Sequence, residues 1–147
     1  MARYVTKVRT DRAAAEVFGY LADLTNFAEW DPGVSRSVQV SGVGPGADAA
    51  FDVTVASVGR PLTLRYETVT YDAPHELIVR ARSRVVTSID SISVSSVEGS
   101  TVVTYDADLR LNGVLGLLDR GLQPAFARIG DRAAAGLRRV LDGEEVT

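Results

Sequence analysis

The chain of 147 residues contains no cysteine. Disulfides, thiolate chemistry and cysteine-ligated zinc are therefore excluded. Only one histidine is present, His75. A metal site would have to rest on clustered carboxylates, and no cluster stands out at a suitable spacing, so no metal or cofactor is expected. No apolar run approaches the roughly 18 residues that a membrane span needs. The N-terminal Met1-Ala-Arg-Tyr-Val-Thr-Lys-Val alternates like a strand and lacks the apolar core of a signal peptide. No integral membrane association is expected, and the expected location is the cytoplasm. Lysine is nearly missing as well: of 16 basic residues, all but Lys7 are arginine. With so much alanine and glycine, that bias suggests a GC-rich bacterial genome. The net charge of −3 argues against a nucleic-acid footprint, which needs a clustered positive face.

What is present fits one domain, monomeric or homodimeric, spanning residues 1–147. Folding at this size buries roughly 68–70% of the chain's surface, enough for a core and a cavity. Residues 3–9 read as a first strand, with Tyr4 and Thr6 on one face and Arg3, Val5 and Lys7 on the other. Thr10 or Asp11 can cap a helix running to about Ala22, whose buried face is Ala14, Val17, Phe18 and Leu21. Thr25 can cap a second short helix, Asn26 to Trp30, which Asp31-Pro32-Gly33 ends.

From residue 34 to 112 the pattern is strands and turns only. Strands are expected at Ser35–Val40, Ala49–Ser57, Leu62–Tyr71, Glu76–Arg84, Val86–Val97 and Thr101–Leu111. Leu77, Val79 and Ala81 alternate with Arg80, Arg82 and Arg84, so one sheet face is apolar and the other solvated. A long amphipathic helix then runs from near Val114 to about Leu141. Its stripe is Leu115, Leu118, Leu122, Phe126, Ile129, Ala133, Leu137 and Leu141. The polar tail Asp142–Thr147 is expected to fray. One long helix after a continuous run of strands predicts an α+β fold. In it a curved, seven-stranded antiparallel sheet wraps the C-terminal helix and tends to leave a cavity.

The order of strand, two helices, six strands and a long helix is that of the helix-grip fold. The segments Asp11-Arg-Ala-Ala-Ala-Glu-Val-Phe-Gly-Tyr-Leu-Ala-Asp and Leu24-Thr-Asn-Phe-Ala-Glu-Trp-Asp-Pro32 resemble the opening of the START-like (SRPBCC) superfamily. Pro74-His-Glu-Leu77 and Gly99-Ser-Thr-Val-Val-Thr-Tyr105 resemble it too. Within it the chain is most similar to the polyketide cyclase/dehydrase group, over nearly its whole length. The resemblance implies a deep cavity between the sheet and the last helix. It also implies a small hydrophobic or aromatic ligand, since members bind lipids, sterols, quinones, hormones or polyketides. An enzyme of this group would cyclise or dehydrate a polyketide-like substrate. The alternative is a non-catalytic lipid or quinone carrier or chaperone. The motifs cap helices and close turns, so they carry over no catalytic residue.

The residues themselves nominate candidates. Either Asp90 shares the inward face with Ile92 and Val94, or Ile89 lies inward and Asp90 is solvated. Inward, its carboxyl would titrate high and could serve as a general acid or base. Tyr66 and Tyr105 can line the cavity while their phenols reach a ligand carbonyl, and plain core packing is at least as good an account of both. These three are the catalytic candidates. Leu64, Phe51, Leu118, Leu122 and Phe126 are further expected cavity contacts. Trp30 is expected to plug one end, with ligand contact second. His75 reads as a surface turn residue, and Gly42–Gly46 as a hairpin turn rather than a phosphate loop, because a strand follows it. The Arg80/Arg82/Arg84 row, joined by Arg65, reads as a solvated face that Asp106 and Asp108 partly offset; an acidic partner or membrane surface is the alternative. Gly116, Gly121 and Pro124 predict a kink or break in the long helix, and a mobile gate over residues 113–124.

Overall fold

The computed structural model describes residues 2–56, 60–113, 116 and 121–146, with Leu122 described in its backbone only. Strand β1 (Ala2–Thr10) leads into α1 (Ala14–Ala22), a 3-10 turn at Leu24–Asn26 and the single-turn α2 (Phe27–Trp30). Six strands follow: β2 (Val34–Ser41), β3 (Ala50–Val55), β4 (Leu62–Asp72), β5 (Glu76–Arg82), β6 (Val86–Val97) and β7 (Ser100–Leu111). Helix α3 (Leu122–Leu141) and the short β8 (Glu144–Glu145) complete the order. Among the described residues the strands form one eight-stranded antiparallel sheet, β2-β3-β4-β5-β6-β7-β1-β8. No helix among them is long and apolar enough to cross a membrane.

The eighth strand comes from the tail that composition marks for fraying. Glu144 and Glu145 pair with Arg9 and Val8, and the Val146 N–H donates to the Lys7 carbonyl at 2.9 Å. The chain can turn back because α3 ends on Asp142 in the left-handed region, φ 51°. Gly143 then passes so close to β1 that a Cβ there would press on the Arg9 carbonyl. The Leu141 carbonyl accepts the Thr10 hydroxyl at 2.6 Å. The same Thr10 oxygen accepts the Arg12 N–H at 3.2 Å, ahead of α1, whose N-cap is Ala13 with no side-chain bond, so neither Thr10 nor Asp11 caps that helix. Likewise Asp23, not Thr25, caps the next turn: its Oδ1 accepts the Thr25 N–H at 3.0 Å and the Thr25 hydroxyl at 2.6 Å.

Burial follows the apolar pattern with one exception on α3. Val17, Phe18, Leu21 and Ala22 of α1 are buried, as are Ala133, Leu137 and Leu141 of α3. Ile129 belongs to the same stripe by spacing but is 47% exposed. The stripe there lies over space and not over the sheet. Helix α3 starts at Leu122 with Gly121 as its N-cap, and residues 114, 115 and 117–120 of the helix expected from Val114 lie outside the described residues. Pro124 sits in the first turn, where its missing N–H removes no helical bond, and it does not kink the helix from inside. Half of the expected gate, residues 114, 115 and 117–120, lies outside the described residues. Gly136 marks a close crossing, since a Cβ there would overlap the Trp30 carbonyl.

On the outer face Arg82 and Arg84 are exposed and Arg80 is half-buried. Arg65 binds Asp52 through two bonds of 2.8 and 3.2 Å. Asp106, expected to offset the arginine row, is held by Arg3 at 2.7 Å across the β1–β7 pair. His75 is exposed in the β4–β5 turn, and Gly42 and Gly44 take positive φ in the β2–β3 hairpin.

Candidate functional site

A cavity of about 280 Å³ lies between the concave sheet face and α3. Its apolar wall includes Phe27, Val34, Val55, Leu64, Ala107, Leu109, Phe126, Ile129 and Ala133. Its polar groups are Tyr4, Asp31, Tyr66, Ser88, Asp90, Tyr105 and Arg132.

The alternation of β6 decides which groups face in. Val86, Ser88, Asp90, Ile92 and Val94 are buried, and Ile89 is 39% exposed. Asp90 is therefore inward. Its register partners on either side are Val79 and Ala107. Tyr105, two residues from Ala107 on β7, reaches Asp90 diagonally, and its hydroxyl donates to Oδ2 at 3.0 Å. The Ser88 hydroxyl is 3.3 Å from Asp90 Oδ1. The Tyr66 hydroxyl in turn donates to Ser88 Oγ at 2.8 Å. Tyr66 lies two strands away from Ser88, about 9.5 Å by strand spacing. The residue between them in the register is Ala81, small enough for the phenol to pass over. The result is one hydrogen-bonded chain, Tyr66–Ser88–Asp90–Tyr105, across β4, β6 and β7.

Electrostatics follow from this burial. Loss of water pushes the Asp90 carboxyl up to about 7; the Tyr105 hydrogen bond opposes the rise and the Asp31 charge adds to it. Burial, with the Asp90 charge, also pushes the Tyr66 and Tyr105 phenols up, so both stay neutral donors. Trp30 steadies Tyr105 from behind, ring edge to ring face, with centroids 5.3 Å apart and planes at 88°. Phe27 stacks on Trp30 at 4.8 Å.

The structure thus brings Leu64, Tyr66, Asp90, Tyr105 and Phe126 to one cavity. Trp30, Phe51 and Ile92 are buried but stand off its wall. Phe51 lies opposite Tyr66 in the β3–β4 register, and Ile92 opposite Tyr105 in β6–β7, where the space is filled by core packing. Leu118 and the side chain of Leu122 lie outside the described residues.

Sequence reasoning missed Asp31, Tyr4, Ser88 and Arg132. Asp31 follows α2, is only 7% exposed, and its Oδ1 accepts the Gly33 N–H at 2.8 Å. Burial raises its carboxyl pKa, and that backbone bond opposes the rise. The Asp-Pro-Gly spacing signals such a side-chain turn, but nothing local signals that the turn faces a cavity. Tyr4 packs its ring over Gly130 and donates its hydroxyl to Asp131 at 2.9 Å. Ser88 had a signal: it shares the parity of Asp90 on β6.

The architecture agrees with the comparisons to known proteins. The family described as polyketide cyclase / dehydrase and lipid transport matches residues 1–142, and the chain belongs to that family. No curated protein matches the sequence. Solved structures share the fold at low identity. The protein TTHA0849 from Thermus thermophilus is 13% identical with a TM-score of 0.76, covering 95% of this chain and 96% of that one. A START superfamily protein from Mycobacterium smegmatis is 11% identical with a TM-score of 0.74, covering 97% and 98%. The di-domain ARO/CYC protein StfQ from the steffimycin biosynthetic pathway is 12% identical with a TM-score of 0.70, covering 96% of this chain and 51% of that one.

Proposed function

We propose that the chain binds a small hydrophobic or aromatic molecule in this cavity and assists proton transfer on it, as in the cyclisation or dehydration of a polyketide-like substrate. The observation that carries this is the Tyr66–Ser88–Asp90–Tyr105 chain facing a cavity whose wall is largely apolar. A carboxyl that titrates near neutrality is present in both forms at working pH, which is what acid–base exchange needs. In a dehydration, the Asp90 carboxylate takes a proton from the carbon beside a carbonyl. The electron pair forms the carbon–carbon double bond, the carbon–oxygen bond breaks, and the departing hydroxyl takes the proton back from Asp90 to leave as water. The neutral phenols of Tyr105 and Tyr66 donate to Asp90 and Ser88, so their part in this step is to hold the carboxyl in place and temper its basicity.

The competing account is a non-catalytic carrier of a lipid or quinone, which a purely apolar cavity would favour. Convergent polar groups with a shifted carboxyl support the catalytic account. A volume near the lower end for small-molecule sites supports a compact ring system over a long chain. Native mass spectrometry of the purified protein, with a 2-naphthol titration, tests the binding. A retained compact aromatic mass, or saturable 2-naphthol binding, is expected. A retained acyl-chain lipid would shift the account to the carrier. No retained mass and no 2-naphthol binding would overturn it.

A further inference from the structure

We propose that Asp31 receives the polar end of the ligand. The cavity then prefers a molecule presenting a hydrogen-bond donor, above all a protonated amine, and disfavours carboxylates. This rests on the cavity-binding proposal and adds the ligand's charge to it.

The bookkeeping of donors is uneven. A carboxylate has about four acceptor positions. Asp90 has a donor on each oxygen, Tyr105 and Ser88. Asp31 is 7% exposed, lines the cavity, and has one donor, the Gly33 N–H on Oδ1. Its Oδ2 has no hydrogen-bond partner among the described residues. Facing the cavity, that oxygen loses its access to water when a ligand fills the space, and the loss is costly unless the ligand donates to it. The turn needs only Oδ1, so the second oxygen is left for a ligand.

The other charged and titratable groups agree. From β1 comes Tyr4, whose hydroxyl is already given to Asp131 of α3. From β4 and β7 come the neutral phenols of Tyr66 and Tyr105. From α3 comes Arg132, the one cation on the wall among the described residues, and it is exposed. Two carboxyls in one low-dielectric space repel each other, a ligand cation relieves both, and a ligand carboxylate adds a third like charge.

Three probes with one ring system test this: 2-naphthylmethylamine, 2-naphthalenemethanol and 2-naphthoate, titrated calorimetrically at low salt and about pH 8, above the Asp90 midpoint. The amine should bind roughly tenfold or more tighter than the naphthoate, with the alcohol between them. Asp31→Asn keeps an acceptor for Gly33 and should bring the amine-to-acid ratio toward one. The wild-type series decides the matter even if that variant does not fold. Naphthoate binding as tight as the amine would make Arg132 the polar contact and overturn the inference. An undiminished ratio in Asp31→Asn would overturn it too. Binding of the alcohol without any preference for the amine overturns this inference alone; no binding by any probe overturns the cavity-binding proposal with it.

Discussion

The concave face of the sheet has two halves that share strands β6 and β7. In one, Leu77, Val79, Ile92, Val94 and Val103 are buried in a solid core with Val17, Phe18 and Leu21 of α1. In the other, Leu64, Tyr66, Ser88, Asp90 and Tyr105 face a cavity under the first half of α3. Strand β6 supplies both, changing from Ile92 and Val94 to Ser88 and Asp90 over a few residues. The covering helices differ in the same sense. Helix α1 brings Phe18 and Leu21, whereas α3 brings Gly130 and Ala133 between the larger Phe126, Ile129 and Arg132. Large side chains meeting apolar positions fill one half. In the other, small residues of α3 facing polar positions of the sheet leave space between them.

The strongest way to break this comparison is to truncate one leucine from each half. Leu77→Ala should lose about 2–5 kcal/mol in urea unfolding, as fully packed sites do. Leu64→Ala, already beside empty space, should lose less than about 2 kcal/mol. Equal losses would mean that the cavity half is as tightly packed as the other.

The next effect is on pH dependence. Asp90 titrates near 7 when folded and near 4 in an unfolded chain. Between those values the folded state holds the proton and the unfolded state has released it. Stability therefore falls as pH rises from about 4 to about 7. At about 1.36 kcal/mol per unit, the penalty above pH 7 approaches 4 kcal/mol. Asp90→Asn should recover about 2–4 kcal/mol at pH 8 and flatten the decline, as measured by urea unfolding across pH. Tyr105→Phe removes a donor to the carboxylate, so the Asp90 midpoint should move upward in a carboxyl titration. The smallest effect belongs to Tyr66→Phe, which loses one hydrogen bond to Ser88 and about 1 kcal/mol of stability.

How far the residues announced all this differs between the halves too. The solid half follows from period-two alternation on β5 and β7 and from the α1 face, all legible in one dimension. The cavity half does not. Ile89 and Ile92 are three apart, so each parity of β6 buries one isoleucine, and local pattern leaves Asp90 undecided. The pairing of Asp90 with Ala107 and Val79 settles it, and pairing is a long-range fact. Asp31 reads as a helix terminator, and only the approach of α3 makes it a cavity residue. The eighth strand escaped notice because two glutamates carry no strand propensity; capping of α3 and the free edge of β1 order them.

The central claim is that Asp90 is a buried acid facing the cavity, and its own titration tests that most directly. In carbon-13-labelled protein, the Asp90 carboxyl signal should follow a midpoint near 7. An ordinary midpoint near about 4 would place the carboxyl in water and contradict the account.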